Sequence, residues 1–371
     1  MNKKITGLFM AAVMCTASVT TGSSLKADAA DIKYEYGVFL RADPDDIPYM
    51  EAYKKIVIDA QYFDKEEISE LKKSGHTVYS YINLGSVEEF RSYFNTYEKY
   101  FLGVYENWED EQWVDVSQKE WQDFVVDELA KKILAKGVDG LFVDNCDVYY
   151  NFKKNSIYDG VTEILKGFKN YGTYVIINGG DTYVEEYAKR NKNLDAVMDA
   201  VNQETVFSSI DWENDSFTEN AAEEREYFQD YCKLVSDNGK DVYLLEYTKS
   251  SSLIESIKKY CLEKGYTYYA SSTLDLVTPG QEAGSQLLTE KGSEGKQALN
   301  GDANTDNTVD LSDVVLIMQA LANPNRYGLK GTDKTHITEQ GSANADTDGN
   351  GLTVDDAQRI QLYLLKKLSS L

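Results

Sequence analysis

The chain has 371 residues and a formal net charge of −24, with 62 acidic side chains against 38 basic ones, a balance that excludes nucleic acid as a natural partner. Its histidines are only His76 and His336, too few for a histidine-rich zinc site or a Ser-His-Asp triad in the body of the chain. The cysteines beyond residue 30, Cys146, Cys232 and Cys261, are odd in number and sparse, which argues against a disulfide framework.

Lys3 and Lys4, the apolar run from Ile5 to about Val19, and Ala27-Asp28-Ala29 read in that order as a secretory signal peptide over residues 1–30. The run is too short to span a bilayer, and nothing later reaches roughly 18 continuous apolar residues, so an exported protein without membrane insertion is expected. Cys15 follows an apolar segment, but Met14 before it is too large for a lipoprotein site. Losing the signal, with its three lysines and one aspartate, moves the charge from −24 to −26. The segment from Leu299 onward carries ten acids and six bases, so −22 falls on the stretch before it.

Eight short β-branched or aromatic runs follow in chain order: YGVFL (36–40), KIVIDA (55–60), TVYSYIN (77–83), DGLFVDN (139–145), YVIINGG (174–180), AVMDAVNQE (196–204), DVYLLEY (241–247) and YTYYASS (266–272). Amphipathic stretches such as KEEISELKKSG and SIKKYCLEKG lie between them and stop at Gly. This alternation predicts an α/β protein, a (β/α)8 TIM barrel over residues 31–277. A doubly wound open sheet is the alternative, but no glycine-rich phosphate loop follows the first strand.

Strand after strand ends on a polar side chain: Asp59, Asn83, Asp144 with Asn145, Asn178, Glu204, Glu246, and Ser271-Ser272. A barrel would gather these ends on one rim above an apolar interior. Carboxylates and amides without a histidine or a nucleophile motif suit hydrolysis of a sugar linkage, which uses two carboxyl groups flanking the bond. Burial and mutual repulsion can raise the pKa of the member that donates the proton. Asn83, Asn145 and Asn178 are candidate donors to sugar hydroxyls. Tyrosine, at 28 residues, and tryptophan supply rings for stacking, although packing accounts for most of the tyrosines.

GVDGLFVDNCDVY (137–149), YINLGSVEEFR (81–91), VIDAQYF (57–63), VIINGGD (175–181), VNQE (201–204) and LLEYT (244–248) resemble the motifs of glycoside hydrolase family 114. These are endo-α-1,4-polygalactosaminidase-like proteins related to the spherulin-4-type enzymes, and the resemblance covers roughly residues 33–277. It implies a barrel that cleaves α-1,4-linked galactosamine polymers with an Asp of the DN element and a Glu of the EY element as catalytic pair, here Asp144 and Glu246. Barrel geometry sets the ends of the fourth and seventh strands across the cleft from one another. Asp144 would serve as nucleophile or base and Glu246 as general acid/base, or the reverse; otherwise either carboxylate holds loops or pairs with Arg91. Asp59, Asn83, Arg91, Asp115, Asn145, Asp147, Asn178, Glu204 and Tyr247 are the expected substrate contacts, with structural support the other reading for Asp59, Asp115, Asp147 and Glu204. A charge of −22 would attract a partly deacetylated, cationic polymer. The competing function is a catalytically silent carbohydrate-binding barrel. A Schiff-base lyase would need a lysine ending a strand, and none does. No cofactor is expected in the barrel.

Residues 278–298, TPGQEAGSQLLTEKGSEGKQA, lack an apolar period and read as a linker to a second domain, residues 299–371. There GDANTDNTVDLSD places Asp302, Asn304, Asp306, Thr308, Asp310 and Asp313 at positions 1, 3, 5, 7, 9 and 12 of a Ca²⁺ loop, followed by an apolar helix. Asn307 stands at the usual Gly position and can adopt positive φ. The pattern returns as NADTDGNGLTVDDAQRIQLYLL, with Asp356 opposite Asp313. This second loop is one residue too long counted from Asn344 and one too short counted from Asp346. Its candidate ligands are Asn344, Asp346, Asp348, Asn350 and Asp356. The duplicated loop and helix resemble a type I dockerin, a small all-α Ca²⁺-binding domain. That implies two Ca²⁺ ions, a cohesin partner on a scaffoldin, and an extracellular, cellulosome-like complex. The alternative is a structural mini-domain stapled by calcium.

Overall fold

The computed structural model describes residues 32–106, 108–214, 216–279, 284–289, 299–305, 308–368 and 371, so the signal segment, Asp306 and Asn307 lie outside it. Eight strands form the central sheet: β1 (Tyr34–Phe39), β2 (Tyr53–Ile58), β3 (Thr77–Asn83), β4 (Gly140–Asp144), β5 (Tyr174–Asn178), β6 (Ala200–Glu204), β7 (Asp241–Tyr247) and β8 (Thr267–Ser271). They are hydrogen-bonded in chain order and pair in parallel, for example Asn83 with Asp144 and Leu245 with Glu204. Helices such as Lys65–Lys73, Asn155–Lys169, Asp181–Asn191 and Ser251–Lys264 cover the outside. Strands enclosed on both faces read as near-continuous apolar runs, and that is the form of Ile56-Val57-Ile58 and Leu141-Phe142-Val143, all fully buried.

No ladder joins β1 to β8 among the described residues; part of the stretch read as linker completes the ring instead. Leu287 bridges to Tyr34 and Ser285 to Tyr269, both antiparallel. The Glu35 N–H donates to the Gln286 carbonyl (2.8 Å), and the Leu288 N–H to the Lys33 carbonyl (2.9 Å). Residues 284–289 therefore satisfy two strand edges that would otherwise present unpaired backbone groups. Their glycine, serine and glutamine composition conceals this, because the pairing is made by backbone.

Two insertions extend the C-terminal rim, and neither shows a periodic signal. After β3 comes a three-stranded antiparallel sheet, Ser86–Glu88, Phe101–Tyr105 and Trp108–Val114; after β6 comes a hairpin, Ser208–Asp211 with Ser216–Glu219. Gly85 closes the turn after β3 against the end of β4. A Cβ there would lie 1.9 Å from the Asn145 carbonyl oxygen, and Asn145 itself sits at φ 64°.

The C-terminal segment has its own apolar cluster. Helices Leu311–Ala322 and Val354–Leu364 pack through Val314, Ile317, Ala320, Ala357 and Ile360. The three cysteines described are free and buried. No helix among the described residues is long and apolar enough to cross a membrane.

Candidate active site

A cleft of about 1580 Å³ opens at the C-terminal ends of the strands and is lined by Asp59, Asp144, Asn145, Asp147, Asn178, Glu204 and Tyr247 together with side chains of both insertions. Successive residues of a strand face opposite sides. On β7 this puts Tyr247 in the cleft and turns Glu246 away from it. Glu246 is fully buried among neutral donors: the Phe207 N–H (3.0 Å to Oε1), the Ser208 N–H (2.8 Å) and the Ser208 hydroxyl (2.6 Å), the latter two on Oε2. Burial pushes its pKa up to about 7. The expectation that Glu246 faces Asp144 across the cleft thus does not hold; Glu246 clamps the chain that leads from β6 into the hairpin.

The carboxylate that does meet Asp144 is Glu204. Asn178 Nδ2 donates to Asp144 Oδ1 (3.0 Å) and to Glu204 Oε1 (2.8 Å). The two acceptor oxygens are therefore no farther apart than the sum of those lengths, roughly 5.8 Å. The Asn178 amide is itself oriented from below. Asn202 Nδ2 donates to Asn178 Oδ1 (2.7 Å), and the Tyr36 hydroxyl to Asn202 Oδ1 (2.9 Å), so only the NH2 group of Asn178 faces the carboxylates. Asp144 Oδ1 also accepts the Asn145 N–H (3.0 Å), while the Tyr247 hydroxyl donates to Glu204 Oε2 (2.7 Å). Asp144 Oδ2 accepts no hydrogen bond among the described residues. Burial raises the Asp144 pKa to about 6, with the Glu204 charge adding to the effect, and burial raises Glu204 as well.

Around this pair the polar side chains are committed to one another. Arg91 bridges Asp59 (2.8 Å) and Glu88 (2.9 Å) in a buried triad, so Asp59 and Arg91 build the wall of the cleft with their charges already paired. Asn83 does not line the cleft; its Nδ2 donates to Glu111 (3.0 Å) and its Oδ1 accepts the Ser86 N–H (2.9 Å). Asn145 Nδ2 also reaches Glu111 (3.0 Å), whose pKa burial lifts to about 7. Asp147 lines the cleft, accepts the Gly180 N–H (3.3 Å), and is raised to about 7 by burial and by the charges of Asp181 and Asp144. Asp115 lies outside the cleft and closes a turn by accepting from Ser117 and Gln118. Sequence reasoning missed Glu88, Glu111, Asn202 and Tyr36. Among the rings in the cleft, Tyr62, Phe90, Tyr150, Trp212 and Tyr227 are exposed, and Trp108 meets Trp212 edge to face at 5.8 Å.

In the C-terminal segment, oxygens of Asp346, Asp348 and Asp356 lie within 4.8 Å of one another, an arrangement suited to a hard cation. Asn344 is buried, donates to the Asp302 carbonyl (3.0 Å) and accepts from Gln340 (2.7 Å). Counted from Asp346, the first of the clustered acids, to Asp356, the second loop is one residue shorter than the first. Asp356 binds the Thr347 and Thr353 N–H groups as Asp313 binds those of Asn304 and Asp310. Asp310 caps the first helix through the Ser312 N–H. Asp306 falls outside the described residues.

A parallel barrel carrying a desolvated carboxylate pair on its C-terminal rim is an arrangement that barrel glycosidases use. Comparison with known proteins supplies the family. The profile of glycoside-hydrolase family GH114 matches residues 17–282, and the chain belongs to that family of glycoside hydrolases. The glycoside hydrolase domain of PelA from Pseudomonas aeruginosa is similar in fold, at 15% identity and TM-score 0.55 over 66% of this chain and 96% of that one. So is Ega3 of Aspergillus fumigatus, solved in complex with galactosamine, at 16% identity and TM-score 0.52 over 70% and 97%. A xylanase/β-glucanase of Ruminococcus flavefaciens is 58% identical over 73 residues, which are 19% of this chain and span only 9% of that relative's length. A group 1 dockerin solved with the third ScaB cohesin of R. flavefaciens is 52% identical over 20% of this chain and 95% of that one, with TM-score 0.19.

The raised carboxyl groups fix a pH dependence of stability. Glu111, Asp147 and Glu246, at about 7 in the fold, bind protons more tightly than in the unfolded chain, where such groups titrate near 4. The folded state then holds more protons than the unfolded one between those values, so stability falls as pH rises through that window. Thermal unfolding should give a lower midpoint at pH 8 than at pH 5, and Glu246→Gln should flatten the dependence; a midpoint that climbs over this range contradicts the assignment.

Proposed function

We propose that the protein is an exported, endo-acting hydrolase of α-1,4-linked, galactosamine-containing polysaccharide, with Asp144 and Glu204 as its catalytic pair and a Ca²⁺-dependent docking module at its C-terminus. The observation that carries the reading is the Asn178 amide shared by two carboxylates. Its two bonds hold one oxygen of each carboxylate within roughly 5.8 Å of the other, short of the separation that inversion uses (about 6.5–9.5 Å) and nearer that of a double displacement (about 5–5.5 Å). Asp144 Oδ2 bonds to the anomeric carbon as the glycosidic C–O bond breaks, and Glu204 delivers its proton to the leaving oxygen. Water, deprotonated by Glu204, then attacks the same carbon and releases Asp144, so the net change is addition of water across the linkage. This pair favours an enzyme over a silent binding barrel.

The charge of the cleft supports an amino sugar. Among the described residues its only cations are Arg41, paired with Asp275, and Arg91, paired with Asp59 and Glu88. Asp144, Asp147, Asp181, Glu204 and Glu224 line it without a cationic partner there. An ammonium-bearing polymer fits such a potential, in keeping with the family and with galactosamine in the Ega3 complex. The docking reading rests on the two loop–helix units and on a close match to a stretch of an otherwise unrelated-length xylanase/β-glucanase, the mark of a portable module. Its first helix exposes Leu311, Val315 and Met318 at i, i+4 and i+7, one apolar face for a cohesin.

The purified protein should release reducing ends from partly deacetylated polygalactosamine, with kcat/KM rising through about pH 6 as Asp144 ionises. Asp144→Asn and Glu204→Gln should each lose roughly 10³-fold, and Glu246→Gln no more than about tenfold. Undiminished turnover by either of the first two variants, or release from plant glucans alone, refutes the reading. Chelation of Ca²⁺ should abolish cohesin binding measured by calorimetry; binding that persists in excess chelator contradicts the role assigned to the loops.

A further inference from the structure

The two sides of the cleft differ in chemistry, and the barrel sets them opposite each other. The loops after β4 and β5 contribute Asp147 and Asp181, and neither cation of the cleft comes from this side. Asp147 is held by the Gly180 N–H, and Asp181 Oδ2 accepts the Tyr227 hydroxyl. Halfway round the ring, the loops after β8 and β1 contribute Leu274, Leu276 and Leu40. Leu276 is buried with φ at 49°, a left-handed conformation that Gly or Asn adopts with less strain. Its side chain packs into the apolar core beneath the cleft, which holds the strained backbone in place. The one cation on this side, Arg41, is tied to Asp275 (3.3 Å) and lies over the Trp108 ring (5.8 Å), and Trp108 meets Trp212. An ammonium group on this apolar arc would lose water without gaining a carboxylate. An acetamido methyl would instead be covered by leucine and indole.

Resting on the hydrolase reading above, we infer that the cleft discriminates by acetylation: the sugar on the β4–β5 side carries a free ammonium, the sugar on the β8–β1 side carries an N-acetyl group, and bonds joining the two are cut in preference. Asp144 ends β4 and Glu204 ends β6, so the acidic arc adjoins the pair and the apolar arc lies across the cleft from it. A polymer lying from one arc to the other and cut at the pair leaves one new chain end toward each.

The test is digestion of a randomly, half-acetylated α-1,4-galactosamine polymer to low conversion, with both new ends of the products sequenced by tandem mass spectrometry. One end should be enriched in free amine by roughly fivefold over the bulk polymer, the scale of a partly exposed ion pair. The other should be enriched in N-acetyl by roughly fourfold, the scale of burying one methyl group. Asp181→Asn should reduce the first enrichment and Leu274→Ser the second, each leaving the other in place. Cleavage that leaves both ends at bulk composition overturns this inference while the hydrolase reading stands. Failure to cleave the polymer at any degree of acetylation overturns both.

Discussion

One carboxamide group organises the floor of the cleft. The NH2 of Asn178 stands between Asp144 and Glu204 and gives each a hydrogen bond, so two carboxyl groups that would repel each other are held close without a neutralising cation. The amide keeps that orientation because its oxygen is occupied by Asn202, and Asn202 in turn by Tyr36. Three strands, β1, β5 and β6, thus supply a buried polar column that ends at the two carboxylates. A column of this kind is stable only when every member is satisfied, which makes the inner residues as consequential as the pair they orient.

The barrel turns that local device into a site. Eight parallel strands, with residues 284–289 filling the gap between β1 and β8, bring strand ends distant in sequence to a common rim, and the two insertions raise walls that carry rings and further acids over it. The buried triad of Asp59, Arg91 and Glu88 holds the wall beside β2 and β3. Glu246 does the corresponding task behind β6 and β7, where its carboxylate gathers the N–H groups of Phe207 and Ser208. The protein thereby keeps several carboxyl groups in surroundings that disfavour their charge, a cost in stability accepted at a functional centre.

Much of this was legible in the sequence. The eight strands stood out because runs buried on both faces are continuously apolar, and the rim stood out because seven of the eight runs ended on an oxygen or amide. Asp144, Asn178 and Glu204 all emerged that way. Glu246 misled because sequence shows where a strand ends but not which face its last residues take. A shift of one position exchanges Glu246 for Tyr247 in the cleft. Glu111, Trp108 and Trp212 lie on insertions too short to show a period, and residues 284–289 join the barrel through backbone bonds that composition does not reveal. In the second acidic loop, spacing alone left Asn344 and Asp346 equally eligible, and only the fold shows Asn344 hydrogen-bonded to Asp302 and Gln340.

The spacing imposed by Asn178 bears directly on stereochemistry. Proton NMR of the hydrolysis reaction in its first minutes, before mutarotation, reports the configuration of the newly formed reducing end. Attack by Asp144 followed by water predicts that the α configuration of the cleaved bond is retained. A β product formed first would mean that water attacks directly, and that the two carboxyl groups do not act as the closely spaced pair described here.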